Sequence, residues 1–156
     1  MKNPIQLSII ILLLLASACK KSMTPSPNPY VSPQLILYTT FDYPPFFGHV
    51  FLITPHGLYE DSLYTGNNNF SFTAPALDSI KYSIAYPLLS SFPTYLQNDT
   101  GGNLGYPGPI GMGSIHFQYT NNNKTVKWNM PANSSSTPTQ VQDYLNQVYI
   151  ILPKLY

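Results

Sequence analysis

Ser114-Ile115-His116-Phe117-Gln118-Tyr119-Thr120-Asn121-Asn122-Asn123-Lys124-Thr125-Val126-Lys127-Trp128-Asn129-Met130 is the stretch that sets the fold class. Ile115, Phe117 and Tyr119 alternate with polar residues, and so do Val126, Trp128 and Met130. A period of two is the mark of a half-buried strand. The polar Asn121-Asn122-Asn123-Lys124 between the two runs predicts a hairpin with a four-residue loop. Pairing Tyr119 with Val126 puts Phe117 opposite Trp128 and Ile115 opposite Met130. All six apolar side chains then share one face, and a one-residue slip destroys the match.

Strand-like runs continue on the N-terminal side. Leu35-Ile36-Leu37-Tyr38 is apolar on both faces and suits an interior strand. His49-Val50-Phe51-Leu52-Ile53-Thr54 is similar and is ended by Pro55-His56-Gly57. Phe70-Ser71-Phe72-Thr73 follows a turn-like Gly66-Asn67-Asn68-Asn69. Ile80, Tyr82, Ile84 and Tyr86 alternate with Lys81, Ser83 and Ala85, a one-sided strand pattern. Near the C-terminus Val141, Tyr144, Leu145 and Val148 have helical spacing from about Thr139, and Val148-Tyr149-Ile150-Ile151-Leu152 reads as a buried strand. The expected fold is therefore all-β: a single antiparallel β-sandwich, Ig-like or transthyretin-like, of about seven strands with one short helix or turn near the C-terminus. Two connections are long for such a fold. One runs from Leu88 to Gly113, holds six of the nine glycines, and has at most a short strand at Thr94–Leu96. The other is the aromatic loop Asp42-Tyr43-Pro44-Pro45-Phe46-Phe47-Gly48.

The chain has 156 residues, and 8% of them are charged, against roughly 25% in an average soluble domain. All seven basic residues are lysine, and Glu60 is the only glutamate among six acids. This composition excludes a charged disordered tail, a coiled coil and a solvated charged helix bundle. It also argues against nucleic acid as a partner, because phosphate binding needs clustered cations. From Gln34 onward Lys81, Lys124, Lys127 and Lys154 face six acids, so the domain is close to neutral. It offers little electrostatic steering to a charged partner.

The N-terminus has the layout of a secretory signal: Met1-Lys2, an apolar stretch centred on Ile9-Ile10-Ile11-Leu12-Leu13-Leu14-Leu15, then Ala16-Ser17-Ala18. The stretch is shorter than the ~20 apolar residues of a membrane span. Cys19 follows and is the only cysteine, so no disulfide forms within one chain. Ser17-Ala18-Cys19-Lys20-Lys21 resembles the lipobox of Bacteroidota lipoproteins, although Ala16 stands where the usual box has leucine. The resemblance covers about the first 22 residues. It implies cleavage before Cys19, acylation of Cys19, and attachment to the outer membrane through that lipid. Lys20 in place of aspartate implies the outer rather than the inner membrane, and the lack of acids after Cys19 favours the periplasmic face over the cell surface. Acyl chains contribute about 0.8 kcal/mol per buried CH₂, and stable anchoring takes more than one. Residues 1–18 are thus expected to be the signal, 19–33 a lipidated tether with four prolines, and 34–156 the folded domain. At ~3.1 Å per residue the proline-rich stretch reaches up to ~40 Å.

Catalytic patterns are sparse. The glycine-rich interval lacks the Gly-Lys-Ser/Thr ending of a phosphate loop, and Ser114 is not set in a nucleophile elbow. His49, His56 and His116 have no close ligand spacing, so neither a metal nor a cofactor is expected. Paired carboxylates are scarce, and the chain reads as noncatalytic. Tyr43, Phe46 and Phe47, with Tyr95 and Tyr106 from the glycine-rich interval, are the candidate binding residues. Flat aromatic faces stack on sugars or anchor a partner protein, and the same residues also suit the closed end of a core. The expected role is a lipid-anchored binding or interaction module, with a glycan or an envelope protein as partner. Asp61-Ser62-Leu63 and Asp78-Ser79-Ile80 resemble the short O-glycosylation sites of Bacteroidota.

Overall fold

The computed structural model describes residues 33–40, 47–61, 69–105, 113–131 and 137–156. The signal, Cys19 and the tether up to residue 32 lie outside them. The strands are β1 (Gln34–Thr40), β2 (Phe47–Thr54) and β3 (Gly57–Asp61), followed after two helices by β4 (Gly102–Asn103), β5 (Ser114–Asn121) and β6 (Lys124–Pro131). The helices are α1 (Ser79–Ser90), α2 (Thr94–Asn98) and α3 (Thr139–Ile151), the last running into a 3₁₀ turn at Leu152–Lys154. The six strands form one sheet in the order β3-β2-β1-β5-β6-β4, antiparallel except for the parallel β4–β6 pair.

The β5–β6 hairpin has the register its side chains specify: Ile115 pairs with Met130, Phe117 with Trp128 and Tyr119 with Val126. Its turn is tighter than expected, because Asn121 and Lys124 pair. Only Asn122 and Asn123 bridge them, at φ 48° and 64°. Asparagine tolerates this left-handed conformation better than most residues. β1 is the interior strand, flanked by β2 and β5. Its Leu35 and Leu37 lie opposite Ile53 and Phe51 on one side, and Tyr119 and Phe117 on the other. These side chains, with Leu58 of β3, make one continuous buried face. β3 was not anticipated; it returns from β2 through Pro55-His56.

The sandwich expectation is corrected at the second layer. The fold is mainly β, but the described residues hold one open sheet, and helices cover its apolar face. The Ile80–Tyr86 alternation belongs to α1, not to a strand. Asp78 decides this locally, because its carboxylate accepts hydrogen bonds from the backbone N–H groups of Ile80 and Lys81, both at 2.9 Å. Helical spacing then buries Ala85, Leu88, Leu89 and Phe92, and leaves Ile80 71% exposed. Asp78→Ala should lower stability by about 1 kcal/mol, the usual cost of a lost N-cap, while Asp78→Asn retains most of it in denaturant unfolding.

The final strand is likewise corrected. Val141, Tyr144, Leu145 and Val148 fall on one face of the continuous α3 and are buried, as is Leu152 in the 3₁₀ turn that follows, whereas Tyr149 and Ile150 are exposed. Tyr144 donates its hydroxyl to the Leu88 carbonyl at 3.1 Å, tying α3 to α1. Burial, and secondarily the nearby Tyr119, holds the Tyr144 phenol well above its usual pKa, so it stays a donor. Phe92 stacks on Tyr119 with centroids 4.3 Å apart, which docks the end of α1 on the sheet.

Of the Leu88–Gly113 interval, residues 88–105 and Gly113 are among the described ones. It holds the end of α1, then α2 where a short strand was expected, then β4. Gly101 turns the chain at φ +89°, against the Lys127 carbonyl. Phe70–Thr73 is not a strand but a strap across the opposite face of the sheet. Ser71 N–H donates to the buried Asp61 carboxylate at 2.7 Å, and Phe70 packs on Tyr38 at 5.1 Å. Val50 and Leu52 are buried on that face. Leu77 N–H then bonds the Leu58 carbonyl at the β3 edge, where the chain passes over to the helical side.

Candidate functional site

Among the described residues, no helix covers the other face of β1, β5 and β6. Alternation puts Ile36, Tyr38 and Thr40 there from β1, His116 and Gln118 from β5, and Lys127 and Asn129 from β6. The register makes two rows across the strands. One is Tyr38–His116–Asn129, extended to Asn103 of β4. The other is Ile36–Gln118–Lys127. Cross-strand neighbours of this kind stand about 5 Å apart.

The first row is built by stacking. The rings of Tyr38 and His116 lie 4.5 Å apart and nearly parallel, at 7°. Phe70 of the strap tilts against Tyr38, and Phe72 packs on Phe70 at 6.3 Å. Thr40 Oγ1 and His116 Nε2 are hydrogen-bonded at 2.8 Å, which fixes the imidazole plane. On the far side of the ring, Asn129 Nδ2 donates to Asn103 Oδ1 at 3.2 Å. Asn129 Oδ1 is buried with no hydrogen-bond partner among the described residues.

Burial lowers the His116 pKa below the ordinary imidazole value. The native state therefore binds this proton less readily than the unfolded chain. The resulting stability is present at pH above the unfolded value near 6.5 and is lost as pH falls below it, levelling off once the folded pKa is passed. An NMR titration should show the His116 ring titrating below the ordinary imidazole value. His116→Gln should remove that part of the acid sensitivity of the melting temperature.

The expected site residues separate in space. Thr40 pairs with both Phe47 and Ser114, Ser114 with Pro131, and Val50 with Asp61. The ends of β1, β3 and β6 and the starts of β2 and β5 thus lie at one end of the sheet. The segments holding Tyr43, Phe46 and Tyr106 join strands at this end, but those three residues lie outside the described ones. Phe47 is placed there through its backbone pairing with Thr40. Tyr95 is elsewhere: it is 47% exposed on α2. The Leu96 carbonyl takes the Trp128 indole N–H at 3.1 Å, and the Gln97 carbonyl takes Lys124 Nζ at 3.0 Å. α2 therefore sits toward the hairpin turn, at the opposite end of the sheet from Phe47.

The histidines are also apart. His49 lies on the helical side, bonded through Nδ1 to Glu60 Oε1 at 2.5 Å and against the Tyr156 ring at 4.4 Å. His56 is in the β2–β3 turn and His116 is on the open face. Among the described residues no three His, Cys, Asp or Glu side chains converge to hold a metal. Of the two short glycosylation-like motifs, Ser62 lies outside the described residues, and Asp78 spends its carboxylate capping α1.

The alternation of the hairpin already put His116 across from Asn129. Sequence reasoning missed Tyr38 and Asn103 as neighbours of that pair, because they meet it only through the β1–β5 and β4–β6 pairings, whereas Gln118 and Lys127 follow from the hairpin register. No described helix is long and apolar enough to cross a membrane. No protein-family model matches the chain, and no curated protein does either.

Proposed function

We propose that this chain is a lipid-anchored protein of the bacterial cell envelope, a noncatalytic binding module held at the outer membrane through Cys19 and facing the periplasm. The observation that carries the binding half of this reading is the sheet face without helices, where an aromatic row is flanked by side-chain amides. The anchoring half rests on the signal-like residues 1–18 and on Cys19. Four of the five described acids are engaged in structural bonds: Glu60 with His49, Asp61 with Ser71, Asp78 with the start of α1, and Asp99 with Thr100. Asp143 stands exposed on α3. This arrangement favours binding over hydrolysis, which needs two carboxyl groups facing one bond.

The anchor is tested by expressing the full chain and Cys19→Ala in a bacterial host, fractionating the envelope and measuring intact mass. A mass increase of acyl chains on the native chain, lost with Cys19→Ala, is the expected result. Protease added to intact cells then separates the two faces, and protection is expected. An unmodified Cys19 overturns the anchor. A second reading, a structural subunit of an envelope complex, is favoured by the outer side of the helical layer, where Ile80 and Ile150 are 71% and 60% exposed. Crosslinking in cells to a single abundant partner through that side would favour it.

A further inference from the structure

We infer that the outer side of α1, continued by α2, lies on the lipid surface to which Cys19 ties the chain. This rests on the anchored reading and extends it: the acyl chains bring the domain to the bilayer, and these helices dock it there.

α1 is apolar on two sides. Ala85, Leu88 and Leu89 are buried against the sheet. Ile80, Tyr86 and Pro87 are exposed on the other side, Ile80 at 71% and Tyr86 at 40%. Tyr82 and Ile84 are partly buried at the flanks. A surface helix ordinarily turns charged residues outward, and a helix apolar all round is covered all round. Lys81 is the one charged residue of α1, and its ammonium is held on the Leu155 and Tyr156 carbonyls at 2.7 and 3.3 Å. The outer serines are spent as well. Ser83 donates its hydroxyl to the Ile80 carbonyl at 2.8 Å, and Ser90 to the Pro87 carbonyl at 3.3 Å. Hydroxyls bonded back onto their own helix lose little when water leaves. On α3, Ile150 is 60% exposed and extends the apolar side as far as Asp143, two turns earlier.

What covers this side follows from where the tether ends. The tether runs into Gln34, which pairs with Thr120 next to the β5–β6 turn. Leu35 pairs with Ile53, so the β2–β3 turn lies at the same end. Tyr82 donates its hydroxyl to the Pro55 carbonyl in that turn at 2.7 Å, and Tyr86 packs on Tyr82 at 5.5 Å. Lys124 holds α2 at the β5–β6 turn, and Tyr95 of α2 is 47% exposed. The tyrosines therefore sit at the end of the domain from which the tether leaves. Residues 20–33 reach at most ~40 Å, so the anchor keeps this surface near the bilayer and weak contacts suffice to dock it. Tyrosine suits the level of the lipid headgroups, and isoleucine the layer just beneath them. Charge agrees. Glu60 and Asp61 stand at the far end of the sheet. Asp78 and Asp99, nearer the docked side, are bonded to backbone N–H groups. Lys124, with Lys20 and Lys21 of the tether, suits anionic headgroups.

The test uses the full chain as processed by a bacterial host, placed in nanodiscs of phosphatidylethanolamine and phosphatidylglycerol that carry a gadolinium-chelate lipid. Intact mass first reports acylation, and NMR line broadening then reports which amides approach the lipid. The strongest broadening is expected at Ile80, Ser83, Tyr86 and Tyr95, and the least at Asp61 and Ser114. The double variant Ile80→Ser, Tyr86→Ser should lower the docked-to-free ratio about tenfold through the apolar area it removes. Its melting temperature in detergent should be nearly unchanged, because both side chains are exposed. Asn103→Ala, on the β4 edge, should leave docking as it is. Even broadening over the domain, strongest broadening at Asp61, or an unaltered pattern in the double variant overturns the inference. So does crosslinking of this side to a protein in cells with no docking in protein-free nanodiscs, which assigns the side to an envelope subunit. An unmodified Cys19 rejects the anchor and the docking together, whereas an acylated chain with undocked helices rejects the docking alone.

Discussion

Trp128→Ala should cost about 3–5 kcal/mol in denaturant unfolding, the range for a large buried aromatic reduced to a methyl group. The indole is 6% exposed and sits opposite Phe117 in the hairpin. Two losses combine. The apolar rings leave a hole that the pairing of β5 with β6 prevents from collapsing. The Leu96 carbonyl also loses the indole N–H that satisfies it at 3.1 Å, which detaches α2 from the sheet. Trp128→Phe separates the two, since it keeps most of the apolar volume and removes only the donor. It should cost about 1–2 kcal/mol, the penalty of an orphaned carbonyl plus a modest volume change. A loss below 1 kcal/mol for the alanine variant would mean that the helical layer does not seal this face.

Gly48→Ala is the second large effect, about 2–3 kcal/mol, at the upper end of what an overpacked position costs. Tyr38 pairs with Val50 and Thr40 with Phe47, so Gly48 and His49 together oppose the single Thr39. This is a β-bulge, and it brings the two backbones unusually close. A methyl group on Gly48 would lie inside contact distance of the Thr39 hydroxyl and of its carbonyl oxygen and carbon. The hydroxyl can rotate, but the carbonyl belongs to the ladder and cannot. Gly102→Ala is the control. Its surroundings are open, and only its φ of +142° opposes a side chain, so it should cost about 1 kcal/mol. If the two variants lose the same stability, the close approach at the bulge is wrong.

Legibility in the sequence followed the range of the forces involved. The hairpin from Ser114 to Met130 was readable to the residue, because neighbouring runs, a polar turn and a shared apolar face all specify one register. The stretch from Ile80 to Tyr86 was misread because a short alternation also satisfies a helix, and the Asp78 cap with the later Leu88, Leu89 and Phe92 tips the balance. Val148 to Leu152 was misread for a related reason. A run of apolar residues looks like a strand until burial shows that only Val148 and Leu152 point inward, with Tyr149 and Ile150 left outside. Of the candidate site, the His116–Asn129 pair was in view, whereas its stacking on Tyr38 depends on a partner 78 residues away in the chain.

The sequence by itself determined the local and the compositional: the hairpin register, the two strands at Leu35 and Val50, the near-neutral charge, and the signal-like start ending at Cys19. Those properties are written in adjacent residues. Tertiary structure alone decided what covers the sheet. Each apolar strand face demands a second layer but does not say whether a sheet or helices supply it. That choice was made by α1 and α3, whose buried stripes match the face of β1, β2, β5 and β6. With the apolar side taken by helices, the polar side around His116 carries no helix among the described residues, and its side chains are half-buried there.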